Sequence, residues 1–175
     1  MPEPQTALPA PDYAHLFGAL MLGRGLRFNN PYRLSTELGD DAESLSLTAT
    51  YLDLSFGAAL GPPDGLQHGA ALGASFALAG VPQEVLTPSY VALYRLPERV
   101  WLHARAGLPL VIEPDFNVGG EFAVGGAFLV SGGLGFGGEL VTSLFYGAAT
   151  HERSQTAIPI VSLELGLVVD YEVFP

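Results

Sequence analysis

Residues 116–146 read FNVGGEFAVGGAFLVSGGLGFGGELVTSLFY, and this stretch decides the fold. Its centre, residues 122–138, is a long apolar run in which Ser131 is the one polar side chain. A membrane-spanning helix needs about 20 predominantly apolar residues. This run, however, contains seven glycines, and each glycine costs a helix about 1 kcal/mol relative to alanine. The stretch is therefore a poor helix, and no other stretch is a better one.

The same stretch alternates with a period of two residues, which is typical of β-strands. Apolar positions before Ser131 form one face, and Asn117, Glu121 and small residues form the other. The alternation resumes at Leu134, where Glu139 again falls among small residues. We therefore predict two long strands joined by a tight turn at residues 131–133.

Period two recurs along most of the chain. Clear alternation covers residues 66–78, 100–112 and 161–173, and residues 86–96 form a weaker segment that alternates acceptably. Residues 15–28 form a strand of ambiguous phase, and residues 45–60 change phase near Tyr51 and Leu52, which predicts a bulge. The total is eight strands, and each clear one has at least the 9–11 residues that a tilted strand needs to cross a bilayer.

Composition sets limits on the function. The chain has 175 residues, enough for one domain, with 49% hydrophobic and 14% charged residues; a soluble domain carries about 25% charged residues. The net charge is −11 and lysine is absent, so a nucleic-acid partner is not expected. Cysteine is also absent, which excludes disulfides, thiolate metal sites and cysteine nucleophiles.

The two faces of each strand differ in an unusual way. One face is rich in Leu, Phe and Val, whereas the other consists largely of Gly, Ala and Ser with a few charges. A face of small residues without lysine is a poor aqueous surface, but it fits the crowded interior of a narrow barrel. The pattern therefore favours an all-β fold, a single antiparallel up-and-down barrel of eight strands with its large apolar side chains toward lipid.

Connection lengths indicate the same architecture. Short turns at residues 61–65, 97–99 and 131–133 follow even-numbered strands, whereas the longer, more polar connections at 29–43, 81–85 and 148–157 follow odd-numbered ones. Short turns on one side and longer loops on the other are typical of outer-membrane barrels. The connection at residues 113–115 is the exception, because it is short on the loop side.

At the level of pattern, residues 14–174 resemble the small eight-stranded outer-membrane β-barrel proteins. The last strand is similar to their assembly signal, with Glu164, Gly166, Val169 and Tyr171 in the matching places, although Phe174 is out of phase with an aromatic end. The resemblance implies a bacterial outer-membrane location, a monomer, contact with membrane lipid and lipopolysaccharide, and recognition of the last strand by the barrel-assembly machinery. Residues 14–175 would form the barrel after a Pro-rich N-terminal lead-in at 1–13. Export requires a secretory signal, so we expect a mature form whose signal peptide has been removed.

Charged residues on the small-residue face are candidates for a network inside the barrel, centred on Arg105. A carboxylate in such a lumen must be hydrogen-bonded, paired with arginine or protonated. The network would be a plug that specifies strand register, or alternatively a gate or proton path. Its predicted members are Arg105, Glu139, Glu164, Glu121, His103, Arg95 and Asp53.

Aromatic residues near the strand ends predict two girdles at the membrane interfaces. One girdle, on the short-turn side, would contain Tyr94, Phe136 and Tyr171. The other, on the loop side, would contain Phe116 and Tyr146.

The sequence gives little support for catalysis, metals or cofactors. Lipid A palmitoyltransferases and deacylases are eight-stranded barrels that use His with Ser near the outer rim, and His151 and Ser154 lie in one outer loop. An exposed polar loop is the favoured interpretation. The acidic groups Asp40, Asp41 and Glu43, and Glu113 with Asp115, lack calcium-loop spacing, so no metal or other cofactor is expected.

The sequence therefore favours a non-enzymatic barrel with a side-chain-filled lumen, an envelope-structural or surface-interaction role and at most a narrow pore. Two alternatives remain open. One is a lipid-modifying outer-membrane enzyme. The other is a soluble lipocalin-like barrel, in which the Leu, Phe and Val side chains would face inward around an apolar ligand.

Overall fold

The computed structural model describes residues 13–28, 46–63, 65–96, 99–147 and 156–173. No helix long and apolar enough to cross a membrane occurs within these ranges. Ten strand segments are present there. They are β1 (Tyr13–Arg27), β2 (Ser46–Leu47), β3 (Tyr51–Gly61), β4 (Leu66–Ala77), β5 (Glu84–Leu96), β6 (Val100–Gly107), β7 (Leu110–Glu113), β8 (Asn117–Ser131), β9 (Leu134–Gly147) and β10 (Thr156–Val173).

The segments form a closed antiparallel barrel of eight strands. Because β2 and β3 both pair with β1, they form one barrel strand. In the same way β6 and β7 form one strand between β5 and β8. Each strand pairs with its neighbour in sequence, and β10 pairs with β1 from Ala14↔Val173 to Arg27↔Ile160. Closure removes the free edges that an open sheet would have, although the short β2 pairs with β1 alone among the described strands. The predicted all-β, up-and-down architecture is confirmed.

The two ends of the barrel differ. At the turn end lie the connections β3–β4, β5–β6 and β8–β9. The last of these is a two-residue turn in which Gly132 and Gly133 have φ of 56° and 82°, the left-handed backbone that glycine adopts without strain and that suits a tight hairpin. The loop end carries the connections β4–β5 and β7–β8. Residues 29–45 and 148–155 lie outside the described residues.

Most predicted strands match the observed ones, and the differences have local causes. The strand predicted at 100–112 is interrupted at Leu108 and Pro109, since proline has no N–H to donate to the ladder. The last strand begins at Thr156 and not at residue 161, so the loop predicted at 148–157 is shorter. The bulge predicted near Tyr51 and Leu52 is present just before them, where residues 48–50 stand opposite only Arg24 and Gly25 of β1.

The register of β3 is continuous through Tyr51 and Leu52. The irregularity lies at residues 48–50, between β2 and β3. There the Thr48 hydroxyl accepts a 2.8 Å hydrogen bond from Gly25 N, and Thr48 N donates one of 2.8 Å to Gly25 O. The chain therefore leaves the regular ladder for three residues, and the side-chain alternation restarts at Tyr51.

The apolar side chains face outward. Within the described residues, 37 large hydrophobic side chains are exposed, whereas 12 hydrophobic residues are buried. Even-numbered residues of β1, such as Leu20 and Leu22, are exposed, and odd-numbered ones, such as Phe17 and Met21, are buried, which settles the phase left ambiguous by the sequence. A lipocalin-like interior would need the large apolar set inside, so that alternative is wrong.

Candidate functional site

The barrel lumen is filled by side chains in three layers. Each strand supplies its small-residue face, so the order along one strand gives the order of the layers. On β10, Glu172 and Asp170 lie nearest the turn end, Val168 comes next, and Glu164 lies farther toward the loop end. We call the three layers the turn-end cluster, the apolar layer and the charged layer.

The charged layer is organised around Arg105. Its Nε donates a 2.8 Å hydrogen bond to Oε2 of Glu139, and its Nη1 donates one of 2.5 Å to Oε1 of Glu121. His103 Nε2 donates to Oε1 of Glu139 over 2.8 Å, and the Ser143 hydroxyl donates to Oε2 of Glu121 over 3.0 Å. Both oxygens of Glu139 and of Glu121 are thus satisfied, as buried carboxylates require.

Strand register explains why these groups meet. His103 on β6, Gly125 on β8 and Glu139 on β9 stand side by side in the sheet. A Cβ at Gly125 would lie 2.7 Å from Glu139 Cγ and 2.8 Å from His103 Cε1. Glycine at position 125 therefore lets the ring and the carboxylate contact each other across the middle strand.

Two further predicted carboxylates have hydroxyl partners. Glu164 accepts a 2.9 Å hydrogen bond from the Tyr51 hydroxyl through Oε1. Asp53 accepts one of 2.5 Å from Ser75. Both carboxylates are buried, with 3% and 7% of their residue surface exposed. They share the lumen with Arg105, but their hydrogen bonds are to hydroxyl groups and not to its guanidinium.

The prediction that Arg95 belongs to the network centred on Arg105 is wrong. Arg95 lies in the turn-end cluster, where its guanidinium contacts the carboxylates of Asp170 and Glu172. His15 Nδ1 lies 3.2 Å from Arg95 Nη2 and 3.4 Å from Asp170 Oδ1. The two arginines lie at different heights along the barrel axis. Arg95 is in register with Trp101, and Arg105 lies four residues, about 13 Å, farther along β6.

The turn-end cluster crosses the lumen. Arg95 is on β5, whereas His15 is on β1 and Asp170 on β10. β5 is adjacent to neither β1 nor β10 in the sheet. These contacts therefore join opposite walls and obstruct the turn end of the barrel.

The apolar layer separates the two polar layers. The rings of Phe17 and Trp101 pack at a centroid distance of 5.6 Å and an angle of 60°. The layer consists of Phe17, Met21, Ala59, Val91, Leu93, Trp101, Ala127 and Val168. Its members are at most 7% exposed, so the layer is a close-packed plug across the lumen.

Two cavities in the described part of the lumen border the charged layer. The smaller one, of about 30 Å³, lies between the apolar layer and the charged layer and is lined by residues of both, among them Trp101 and Arg105. The larger one, of about 90 Å³, is partly open at the loop end. Glu121 and Glu164 form its floor, while Val85, Val141 and Phe145 line its wall.

The predicted girdle aromatics point outward. Their residue exposures lie between 42% for Tyr94 and 75% for Phe116. Tyr94, Phe136 and Tyr171 lie near the turn end, and Phe116 and Tyr146 lie near the loop end. The two sets therefore lie at opposite ends of the apolar surface.

The sequence pattern did not identify several residues that contribute to the polar clusters of the lumen. Asp170 and Glu172 occupy the same face of β10 as Glu164, so the period-two pattern could have placed them. His15 was hidden by the ambiguous phase of β1, and Tyr51 by the bulge assigned to it. The contact of Arg95 with β10 crosses the lumen between strands that are not neighbours, so it follows only from the closed barrel.

Other predicted groups lie outside the described residues, namely His151, Ser154, Asp40, Asp41 and Glu43. Glu113 and Asp115 lie at the loop end. Across residues 13–28, 46–63, 65–96, 99–147 and 156–173, no group of three or more His, Cys, Asp or Glu side chains is placed to hold a metal ion.

No protein-family model matches the sequence, and a search of curated proteins returns no significant match. Solved structures do match. Neisserial surface protein A, NspA, is 12% identical over 89% of this chain and 97% of its own, with a TM-score of 0.49. The outer membrane protein AlkL is 13% identical over 100% of this chain and 97% of its own, with a TM-score of 0.48.

A third match is Ail, the attachment invasion locus protein of Yersinia pestis. It is 9% identical over 89% of this chain and 98% of its own, with a TM-score of 0.47. All three are structures to which this barrel is similar, at low sequence identity.

Proposed function

We propose that the chain is an integral protein of a bacterial outer membrane, with a non-enzymatic role in envelope structure or in surface interactions through its loop end. The observation that carries the proposal is the apolar outer surface of a closed barrel. Lipid accepts such a surface, because closure lets the described strands hydrogen-bond to a neighbour on both sides. In water the same surface would drive aggregation.

The position of the outward charges supports membrane insertion. Among the outward-facing strand positions that the structure describes, the acidic, basic and histidine side chains are Arg24, His68, Glu84 and Glu113, the register partner of Glu84 at the loop end. Glu84 begins β5 at the loop end, Arg24 lies near the loop end of β1, and His68 lies near the turn end of β4. Charge near the edges of the apolar band costs far less than charge at its centre.

The packing of the lumen supports at most a narrow pore. Eight strands leave an interior that side chains can fill. Here the apolar layer and the turn-end cluster fill it in succession, with Trp101 4% and Leu93 1% exposed. A general porin function is therefore not part of the proposal, and surface interaction would use the loop end.

The proposal also covers partners. Membrane lipid and lipopolysaccharide would surround the band between the girdles, and the barrel-assembly machinery would recognise the last strand through Glu164, Gly166, Val169 and Tyr171. We propose a monomer, because a closed barrel needs no second copy to complete its sheet.

The first experiment is heat-modifiability. The protein, refolded in detergent, is run on an SDS gel unboiled beside a boiled sample, with far-UV circular dichroism on the same preparation. We expect a shifted unboiled band and a strong β spectrum. A monodisperse protein in plain buffer, with no shift, would contradict membrane insertion.

The enzymatic alternative has a separate test. The chain is expressed in a Gram-negative host with an export signal, and lipid A is analysed by mass spectrometry beside a His151→Ala variant. We expect identical lipid A profiles with wild type, variant and empty vector. A new acylated or deacylated species that requires His151 would replace the non-enzymatic role.

A further inference from the structure

We propose that the 90 Å³ cavity at the loop end binds a small molecule with a primary ammonium group, which Glu164 holds at the floor. This inference goes beyond the structural role, because it assigns a ligand class to the lumen. It rests on an unpartnered buried oxygen, on the charge balance of the charged layer and on the shape of the cavity.

The unpartnered oxygen is Oε2 of Glu164. Within the described part of the chain, it is buried and has no hydrogen-bond partner, although Oε1 accepts the hydrogen bond from Tyr51. Glu164 is 3% exposed and lines the cavity. By contrast, both oxygens of Glu121 and Glu139 are hydrogen-bonded. A buried carboxylate oxygen without a donor is costly, so a donor from the cavity would stabilise it.

The charge balance favours a cationic donor. Four carboxylates, those of Asp53, Glu121, Glu139 and Glu164, share this region of the lumen with the guanidinium of Arg105. With all four ionised, and with Arg105, a protonated His103 and the Arg27 that lines the cavity all counted, negative charges still exceed positive ones by one. An ammonium group supplies both the missing hydrogen bond and a compensating charge.

The cavity wall favours an organic cation over a metal ion. Val85, Val141, Phe145 and Ile160 provide apolar surface, and Ser162 and other residues provide hydroxyl groups. Small-molecule sites combine such apolar walls with a few polar groups that fix orientation. A metal ion would gain nothing from the apolar wall.

Arg27 favours a ligand that carries a hydrogen-bond acceptor at the end opposite its ammonium group. It lines the same cavity, and its Nε is buried without a partner among the described residues. On β1, Gly23 is the register partner of Glu164, and Arg27 lies four residues, about 13 Å, nearer the loop end. A ligand that carries an acceptor such as a carboxylate opposite its ammonium group would therefore reach toward Arg27.

The test is calorimetric titration of the refolded full chain in detergent micelles at fixed ionic strength. The probes are n-butylammonium, 4-aminobutyrate, butan-1-ol and tetramethylammonium. We expect the two primary amines to bind, with 4-aminobutyrate the tighter one, and the other two to bind at least roughly tenfold more weakly, because they lack the charge or the N–H donors.

Two variants locate the site. Glu164→Gln keeps the shape and removes the charge, so we expect amine affinity to fall roughly tenfold or more. Glu172→Gln, on the same face of β10 but in the turn-end cluster, is the matched control and should bind as wild type does. Ala77→Phe fills the cavity and should abolish binding even if Glu164→Gln fails to refold.

Four outcomes would overturn the proposal. The first is n-butylammonium binding no tighter than butan-1-ol. The second is unchanged affinity in a folded Glu164→Gln variant, and the third is unchanged affinity in a folded Ala77→Phe variant. A Glu172→Gln variant that loses binding as Glu164→Gln does would show only general attraction of cations to an acidic lumen, and it would overturn the proposal as well.

Discussion

The Tyr51 hydroxyl donates a 2.9 Å hydrogen bond to Glu164 although their strands, β3 and β10, are not adjacent. β1 lies between them, and its residue in register with both is Gly23. A Cβ at Gly23 would clash with the Tyr51 ring. The absence of a side chain at position 23 thus lets the phenol pass over β1, so one glycine determines how a buried carboxylate is satisfied.

Gly23→Ala should therefore destabilise the barrel. The added methyl would displace the Tyr51 ring and leave Glu164 without its donor. Overpacking of this kind costs about 1–3 kcal/mol of unfolding free energy, measured by urea titration of the detergent-refolded protein. Gly120→Ala is the control, because a Cβ there meets nothing within 4 Å. An equal loss in the two variants would contradict the account of Gly23.

Arg105→Met should be among the most destabilising single changes in the lumen. It leaves Glu121 and Glu139 as buried carboxylates without their guanidinium, and breaking a buried ion pair costs about 3–5 kcal/mol. Adding Glu121→Gln and Glu139→Gln to Arg105→Met should recover part of the stability, since the uncompensated charges are gone. The same urea titration measures both variants.

Arg24→Met is the control for Arg105, because Arg24 lies on the outer face and is exposed. Its loss should change the unfolding free energy by less than about 1 kcal/mol. If Arg105→Met were equally mild, the charged layer would not be the structural element described above.

The strands were predictable because one property, the alternation of large apolar and small residues, repeats over their full length. Leu134 to Tyr146 shows it with few exceptions, chiefly the large lumen residues Val141 and Phe145, and its predicted limits differ from β9 by one residue. The lumen face of Arg105 and Glu139 followed from the same period. A two-residue repeat thus determines the face on which each side chain lies.

The same pattern does not predict how high along the barrel axis a lumen side chain lies, nor which other side chain it contacts. Arg95 and Arg105 have the same phase, and only the register of β5 against β6 shows that they lie in different layers. The Tyr51–Glu164 contact skips a strand, so no pairing rule between neighbouring strands predicts it. Period two gives the face, whereas closure of the barrel decides which charges meet.

The apolar layer, and not the turn-end cluster alone, should limit ion flow. Trp101→Ala combined with Leu93→Ala would open space in the layer and admit water, since hydrophobic constrictions block conduction by dewetting. We expect a severalfold larger single-channel conductance in planar bilayers. Phe145→Ala, which enlarges only the cavity at the loop end, is the control and should leave conductance unchanged. A larger rise with Phe145→Ala would place the barrier elsewhere.

The cost of an outward charge should depend on depth. Leu165 lies midway along β10 and is 59% exposed, whereas Tyr171 lies near the turn end and is 68% exposed. In a bilayer, Leu165→Arg should lower the unfolding free energy by about 2–4 kcal/mol, and Tyr171→Arg by about 0–1 kcal/mol. Urea titration in lipid vesicles measures both values. Equal costs at the two positions would mean that lipid does not surround the middle of the barrel, because in water the cost of a surface charge would not depend on its position along the strand.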